Sequence, residues 1–131
     1  MKTEAEIRDD IFAYIKASPL AKAVSGKVLT NRRERDSTAE DIFIRVSAAT
    51  YGQIQTAIVE VYVYFLDVTR RSDNVRDTAR ERELARITTD VLARHQEGTW
   101  RINMERQYVK EFQDIRQHAL VNELYYQHSN N

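Results

Sequence analysis

The sequence predicts an α+β fold in a single domain spanning residues 1–131, with an antiparallel sheet of four to five strands and two main helices packed on one face. Three observations lead to this prediction. The 131 residues suit a single hydrophobic core. Only three glycines and one proline are present, so most of the chain should lie in regular elements. Apolar residues recur at helical spacing in two segments and alternate at strand spacing in others.

A helix is predicted near the N-terminus. Thr3 and Glu6 have the spacing of a capping box, in which each side chain satisfies a backbone N–H at the start of the helix. Its apolar face contains three residues at helical spacing, Ile7, Ile11 and Ile15. Because the residue before a proline is pushed out of the helical region, the helix should end at Ser18-Pro19.

The next segment is predicted to form a short helical turn, a short strand at residues 27–29 and a long polar loop. Gly26 separates the turn from the strand. The loop covers residues 30–41, and we expect it to be too polar for burial in a core. At about 12 residues it exceeds most connections in compact domains, and such loops are often functional or disordered.

A two-stranded hairpin is predicted over residues 42–66, with a turn at Tyr51-Gly52-Gln53. Its second strand, 54–66, is apolar or aromatic on both faces, which suits a central strand or one that meets a partner. This strand would span roughly 40 Å, whereas a compact domain of this size measures about 36 Å across. We therefore expect the strand to bend or one end to project, and we favour a projecting hairpin formed by residues 42–66.

A second helix is predicted over residues 74–96, after a polar connection at 67–73. Its apolar face contains Leu84, Ile87, Val91 and Leu92. Its first ten residues, 74–83, should be largely solvated, and Gly98 should end the helix.

Two more strands complete the predicted order α-β-β-β-α-β-β. The first begins at Trp100, a linking segment follows near residues 110–114, and the last strand covers 115–126. The tail at about 128–131 is expected to be frayed.

Composition excludes several classes of function. Twenty basic and twenty acidic residues give a formal net charge of zero, which argues against a dedicated nucleic-acid binder. The absence of cysteine excludes a disulfide framework and a thiol nucleophile. Apolar runs are too short to span a membrane, and the acidic N-terminus does not read as a signal peptide. We expect a soluble protein of the intracellular type.

No catalytic, metal or cofactor site is predicted, so we expect a protein without enzymatic activity. The isolated glycines cannot build a phosphate-binding loop or a nucleophile turn. Adjacent acids such as Asp9-Asp10 and Glu40-Asp41 are interpreted as solvated or capping groups. The histidines lack a second ligand at metal-binding spacing and are interpreted as structural: His95, His118 and His128.

Two arginine groups are the sharpest charged features and become candidates for subunit contacts. They are Arg32, Arg33 and Arg35 in the long loop, with Arg70 and Arg71 in the polar connection. Acidic residues interleave or flank both groups, which favours docking to protein over binding of a polyanion. A purely solvated loop stays open as an alternative. The charged flank of the second helix, residues 76–83, is interpreted as exposed surface or as a rim packed against a neighbouring subunit.

Three tyrosines complete the set of candidate contacts. Tyr62 and Tyr64 share one face of the long strand, where they form either core beneath a helix or an exposed aromatic stripe. Tyr51 lies at the tip of the hairpin.

Several short patterns in this order resemble a known family. The acidic helix leads through Val24-x-Gly26-Lys27-Val28 into the polar loop, Glu40-Asp41-Ile42-Phe43-Ile44 begins a strand, and Val59-x-Val61-Tyr62-Val63-Tyr64 forms the long strand. The chain resembles, over nearly its whole length, the small tail-completion, tail-terminator and neck (head–tail joining) proteins of long-tailed bacteriophages and prophages.

The resemblance implies an α+β subunit that assembles into a ring, commonly a hexamer. Such rings complete the tail or join it to the head, contact other virion structural proteins, and have no catalytic site or cofactor. A closed ring needs a head-to-tail interface between two different patches. The implied regions are the loop at 30–41, the hairpin tip at Tyr51-Gly52 and the charged helix flank. The subunit would be found in the bacterial cytoplasm during assembly and then in the virion.

Two other classes of function stay open. A small-molecule-binding or enzymatic domain would have a pocket between sheet and helices, lined by Tyr62, Tyr64, Trp100 or His118. A nucleic-acid-associated protein would use the three loop arginines, and its binding would weaken steeply with salt.

Overall fold

The structure is a computed structural model that describes residues 1–129. In chain order its elements are α1 (Glu4–Lys16), α2 (Pro19–Ala23), β1 (Val28–Leu29), β2 (Ile42–Thr50), β3 (Ile54–Leu66), β4 (Val68–Arg70), β5 (Asp73–Val75), α3 (Thr78–Leu92), β6 (Arg94–Glu97), β7 (Trp100–Phe112), a 3-10 turn (Gln113–Ile115) and β8 (Gln117–Ser129). Six strands form one sheet in the order β1-β2-β3-β8-β7-β6, and β4 and β5 form a separate hairpin.

The α+β class is confirmed, but the predicted strand count and order are wrong. The main sheet has six strands and is mixed, because β1 lies parallel to β2 while the other neighbouring strands are antiparallel. β1 is parallel because residues 30–41 return the chain to the end of the sheet where β1 began. The strands that the sequence did not indicate, β4, β5 and β6, are short and polar, so they show no apolar alternation.

The first helix forms as predicted. Thr3 accepts a hydrogen bond from the backbone N–H of Glu6, and the Glu6 side chain accepts one from the N–H of Thr3. Ile7, Ile11 and Ile15 are fully buried. Pro19 begins α2 instead of merely ending α1, because its ring has the backbone angle of a first helical residue.

The second helix is shorter than predicted at both ends. Asp77 caps α3 by accepting a hydrogen bond from the N–H of Arg80, so residues 74–75 fall outside the helix and pair in the β4–β5 hairpin. Residues 94–97 leave it to pair with β7. Gly98, with a φ of +57°, lies in the turn that joins β6 to β7 and does not cap the helix.

Three strands of 13 residues form the centre of the sheet: β3, β7 and β8. β3 pairs with β8 along its whole length, from Ile54–Ser129 to Leu66–Gln117. The long predicted strand therefore does not extend beyond its neighbour, because β8 matches its length. The predicted linking segment at residues 110–114 is also wrong in part, since β7 continues to Phe112.

The C-terminal prediction is wrong where it can be compared. His128 pairs with Gln55 on one side and with Trp100 on the other, and Ser129 pairs with Ile54. The prediction of fraying rests on the tendency of chain termini to be poorly ordered. The remainder of the predicted frayed tail, residues 130–131, lies outside the described residues.

Both main helices pack on the same face of the sheet, as predicted. The core joins the α1 isoleucines and Leu84, Val91 and Leu92 of α3 to one face of β3, which contributes Ala57, Val59, Val61, Val63 and Phe65. Within residues 1–129, no helix is long and apolar enough to cross a bilayer.

Candidate interaction surfaces

The face of the sheet away from the helices is lined with aromatic side chains. We call it the open face, and its aromatic cluster consists of Phe43, Tyr62, Tyr64, Tyr108 and Phe112. Ring centroids lie 6.3 Å apart for Phe43–Tyr62, 6.2 Å for Tyr62–Tyr64 and 5.5 Å for Tyr64–Phe112. Tyr62 and Tyr64 were predicted to form either core beneath a helix or an aromatic stripe, and the structure shows the stripe. Both side chains are half-buried. Burial raises the pKa of both phenols.

Cationic side chains lie over three rings of the open face. The Arg33 guanidinium is 4.0 Å from the Tyr64 ring, Arg106 is 4.6 Å from Tyr108, and the Lys110 ammonium is 5.4 Å from Phe112. Cations are attracted to the negative face of an aromatic ring. Two ion pairs cross neighbouring strands on this same face, Arg45–Glu60 at 3.2 Å and Arg106–Glu123 at 2.7 Å. The open face is therefore amphipathic, with no excess of one charge among these pairs.

Loop 30–41 is fastened from inside by an ion pair between Arg33 and Asp41. The Arg33 Nε donates to Asp41 at 2.9 Å, and its Nη2 donates to the carbonyl of Ala39 at 2.7 Å. Asp41 also accepts hydrogen bonds from the Ser37 hydroxyl at 2.6 Å and from the Lys27 N–H at 3.0 Å. The Arg33 and Asp41 side chains are only 8% and 7% exposed. The expectation that this loop is too polar for burial is wrong for these two residues, because each satisfies the other.

The environment of Asp41 favours its charged form. Burial alone would raise the pKa of this carboxyl, but the hydrogen bonds from Ser37, Lys27 and Arg33 outweigh burial and hold the pKa below its usual range. Gly26 is required beside it, because a Cβ there would collide with the Asp41 carboxylate and stand 2.7 Å from the Asp41 backbone nitrogen. Glu40 and Asp41 therefore both form ion pairs within the chain, and the prediction that such adjacent acids are solvated or cap a helix is wrong for this pair.

A second ion pair ties the same loop to α3. Arg80 donates to the two carboxylate oxygens of Glu40 at 2.8 and 2.7 Å, and to the carbonyl of Ala23 at 2.6 Å. The hydrogen bonds to Glu40 are the main cause that raises the pKa of Arg80 further above its usual value. Part of the charged helix flank predicted to be free surface or rim is thus used within the chain.

The predicted contact arginines divide into two groups. Arg33 is buried in its own loop, whereas Arg32, Arg35, Arg70 and Arg71 are exposed. Sequence spacing could not separate Arg33 from its neighbours, because its partner Asp41 lies eight residues away across the loop.

The β4–β5 hairpin stands apart from the main sheet. Its strands pair with each other and with no other strand of the described chain. Its turn places Arg71 and Ser72 at φ values of 50° and 70°, a region that L-residues other than Asn and Asp rarely adopt. Leu66 and Val75 are exposed at its base. An isolated two-stranded hairpin is only marginally stable in water.

The opposite end of the sheet has its own exposed apolar group. Tyr51 is 58% exposed and Ile54 is 63% exposed at the β2–β3 turn. The backbone of Lys2 makes two hydrogen bonds, at 3.0 and 2.6 Å, to the side chain of Gln55, which hold the N-terminus at this end of the sheet. Met1 is exposed there as well. The hairpin tip expected to make contacts is therefore an accessible apolar end.

The residues suggested for a ligand cavity do not converge. Tyr62 and Tyr64 lie on the open face, whereas Trp100 and His118 lie on the helix face, where they stack with Tyr126 and Phe65. His118 is buried, and its Nδ1 lies 2.6 Å from Asp67. Sequence reasoning missed this pair, although the position of Asp67 directly after the long strand could have suggested it. Among residues 1–129, no group of three His, Asp or Glu side chains could hold a metal ion.

Comparison with known proteins provides no assignment: no protein-family model matches this chain, and no curated protein matches it either.

Proposed function

We propose that this chain is a non-enzymatic structural subunit of a phage or prophage virion, which assembles into a ring that completes the tail or joins it to the head. The proposal builds on the resemblance in element order. The observation that supports it most directly is the position of the exposed apolar side chains.

All five large apolar side chains that are exposed within residues 1–129 lie at the two ends of the long strands. Tyr51, Ile54 and Met1 are at one end, and Leu66 and Val75 are at the other. The 13 residues of β3 separate these ends by roughly 40 Å. Clustered apolar exposure marks contact sites, whereas isolated exposed residues need no explanation.

Two unlike ends suit a subunit that joins two different structures. The Leu66–Val75 end carries the strained hairpin with Arg70 and Arg71, which can bind acidic groups of a neighbour. The Tyr51–Ile54 end is aromatic and aliphatic. Each end would contact a different virion structural protein, while Arg32 and Arg35 remain available for contacts between subunits of the ring.

The absolute mass in solution tests this proposal. Light scattering over a wide concentration range, followed by negative-stain imaging, should reveal a closed ring, with a hexamer expected. Replacing Tyr51 and Ile54 by serine should leave the ring intact but abolish its stacking on other virion parts in a reconstitution. A mass that stays at one or two chains up to millimolar concentration would contradict the ring.

Ligand binding is the second candidate, and a groove beside loop 30–41 favours it. The groove has a volume of about 670 Å³ and is lined in part by Lys27, Asn31 and Arg32, and this volume is in the range of small-molecule sites. A reproducible rise in melting temperature in a screen of anionic metabolites, lost in Arg32→Ala, would support it. The absence of any shift would favour the structural role.

A further inference from the structure

The outer edge of β7 is unpaired over its second half. β6 pairs only with residues 100–103 of β7, and the carbonyl of Ala93 accepts the next bond, from the N–H of Met104. From residue 105 to residue 112, no other strand of the described chain lies on that side. An unpaired edge of this length presents a row of free backbone donors and acceptors.

The hydrogen-bond pattern shows which residues face outward. Ser129 donates its N–H to the carbonyl of Thr99, so odd-numbered residues of β8 direct their backbone groups toward β7. Beyond the bulge between Met104 and Arg106, their partners in β7 are the even-numbered residues 106–112. The outward backbone groups therefore belong to Gln107, Val109 and Glu111.

We infer that a second copy of this chain pairs with this edge, antiparallel and around a two-fold axis at Val109. Val109 then lies opposite itself, and Gln107 lies opposite Glu111 of the second copy. All three side chains point to the helix face, so the two sheets continue into one another with their helices on the same side.

The side chains on the open face of β7 are compatible with this pairing. Tyr108 falls opposite Lys110 of the second copy, and Arg106 falls opposite Phe112. Each is a cation facing an aromatic ring, the same chemistry that Arg106–Tyr108 and Lys110–Phe112 already show within one chain. No like charges fall directly opposite each other, and this edge contains no proline to block pairing.

The other exposed edge of the sheet is a poorer partner. β1 covers the start of β2, and a bulge between Val46 and Ala48 interrupts the rest. Such bulges protect an edge from pairing. The β7 edge has no irregularity between Arg106 and Phe112. Self-pairing of β7 therefore offers a longer regular ladder than pairing of β7 with β2.

This contact goes beyond the proposed ring and does not depend on it. A head-to-tail ring uses two different patches, whereas the two-fold contact uses the same edge twice and leaves both apolar ends of each copy free.

Cysteine cross-linking tests the contact in the full chain, which has no cysteine of its own. Tyr108→Cys and Lys110→Cys should form a disulfide when the two variants are mixed and oxidised, because these positions form a non-hydrogen-bonded pair about 4.5 Å apart at Cα. Either variant alone should cross-link at least tenfold less. A cross-link between Arg45→Cys and Lys110→Cys in place of this one would overturn the two-fold contact in favour of β2–β7 pairing.

A proline pair supplies the matched control. Added to the cysteine variants, Glu111→Pro removes an outward N–H of the β7 edge and should lower the cross-link yield at least tenfold. Gln96→Pro removes an outward N–H from β6, outside the proposed contact, and should leave the yield unchanged. Equal yields in both backgrounds, with both variants folded by circular dichroism, would overturn the inference. A ring without this cross-link overturns only the inference, and cross-linked dimers without a ring overturn only the proposed function.

Discussion

Loop 30–41 and the β4–β5 hairpin look alike in sequence, since both are polar connections with clustered arginines and interleaved acids. In the structure they differ completely. The loop is fastened by the buried Arg33–Asp41 pair and by Arg80–Glu40, whereas the hairpin pairs only with itself. Charge clustering alone therefore does not distinguish an arginine that stabilises its own chain from one that is free to bind a partner. What distinguishes them in the structure is a buried acidic side chain that the arginine can reach, as Asp41 is for Arg33.

The largest expected effect comes from removing the acid of the buried pair. Asp41→Ala should lower the free energy of unfolding by about 3 kcal/mol, because it leaves the Arg33 charge buried without its partner. Chemical denaturation measures this change. Asp36→Ala, at an exposed position of the same loop, is the control and should stay within about 0.5 kcal/mol of the parent. Equal effects of the two substitutions would mean that the buried Arg33–Asp41 pair does not fasten the loop.

A smaller loss is expected from filling the space beside Asp41. Gly26→Ala should lower the free energy of unfolding by about 1–3 kcal/mol, because its Cβ would force the backbone of residues 40–41 to move. Gly52→Ala serves as the control, since a Cβ added at Gly52 would lie 3.7 Å from the Ile54 carbonyl oxygen, an ordinary van der Waals contact. A fully stable Gly26→Ala would mean that the loop is not held close to this turn.

Much of the fold could be predicted from sequence, and the failures have identifiable physical causes. The α1 capping box and the bounds of β3 follow from local patterns, and both are confirmed. The short strands β4, β5 and β6 escaped prediction because tertiary pairing, and not apolar alternation, defines them. Arg33 could not be separated from Arg32 and Arg35, because its role depends on a carboxylate that only the folded loop brings near. The Asp67–His118 pair is likewise formed by residues 51 positions apart.

Removing the Arg80–Glu40 pair should destabilise the fold less than removing the Arg33–Asp41 pair. Arg80→Ala should lower the free energy of unfolding by about 1–2 kcal/mol, because the bidentate pair with Glu40 is partly solvated. Arg82 is an exposed arginine of the same helix and supplies the control. Arg82→Ala should change the free energy of unfolding by less than about 0.5 kcal/mol. If the two variants unfold at the same denaturant concentration, Arg80 does not secure the loop.

The Asp41 contribution should also depend on pH in a defined direction. Because the pKa of this carboxyl is lower in the folded chain, its stabilisation is complete above the unfolded pKa of about 4 and is lost as the pH falls through the folded value. The difference in unfolding free energy between the parent and Asp41→Asn should therefore be constant from pH 7 to about pH 5 and shrink below about pH 4. If the difference in unfolding free energy between the parent and Asp41→Asn grows as the pH falls, the pKa of Asp41 is not lowered by folding.

The hairpin should show the smallest effect on stability. Arg70→Glu combined with Arg71→Glu should change the free energy of unfolding by less than about 0.5 kcal/mol, since both side chains are exposed. The same variant should lose binding to other virion parts if the hairpin docks on acidic groups. Unchanged binding, measured beside the parent in the same reconstitution, would remove the hairpin from the proposed contact surface.

The central claim is that assembly uses the two ends of the sheet and leaves the fastened interior of loop 30–41 unchanged. Hydrogen exchange followed by mass spectrometry, on the isolated subunit and on the assembled particle, tests it most directly. We predict new protection at residues 47–54 and 66–76, with little change at residues 37–41. Assembly that protects residues 37–41 and leaves both ends exchanging as before would contradict it.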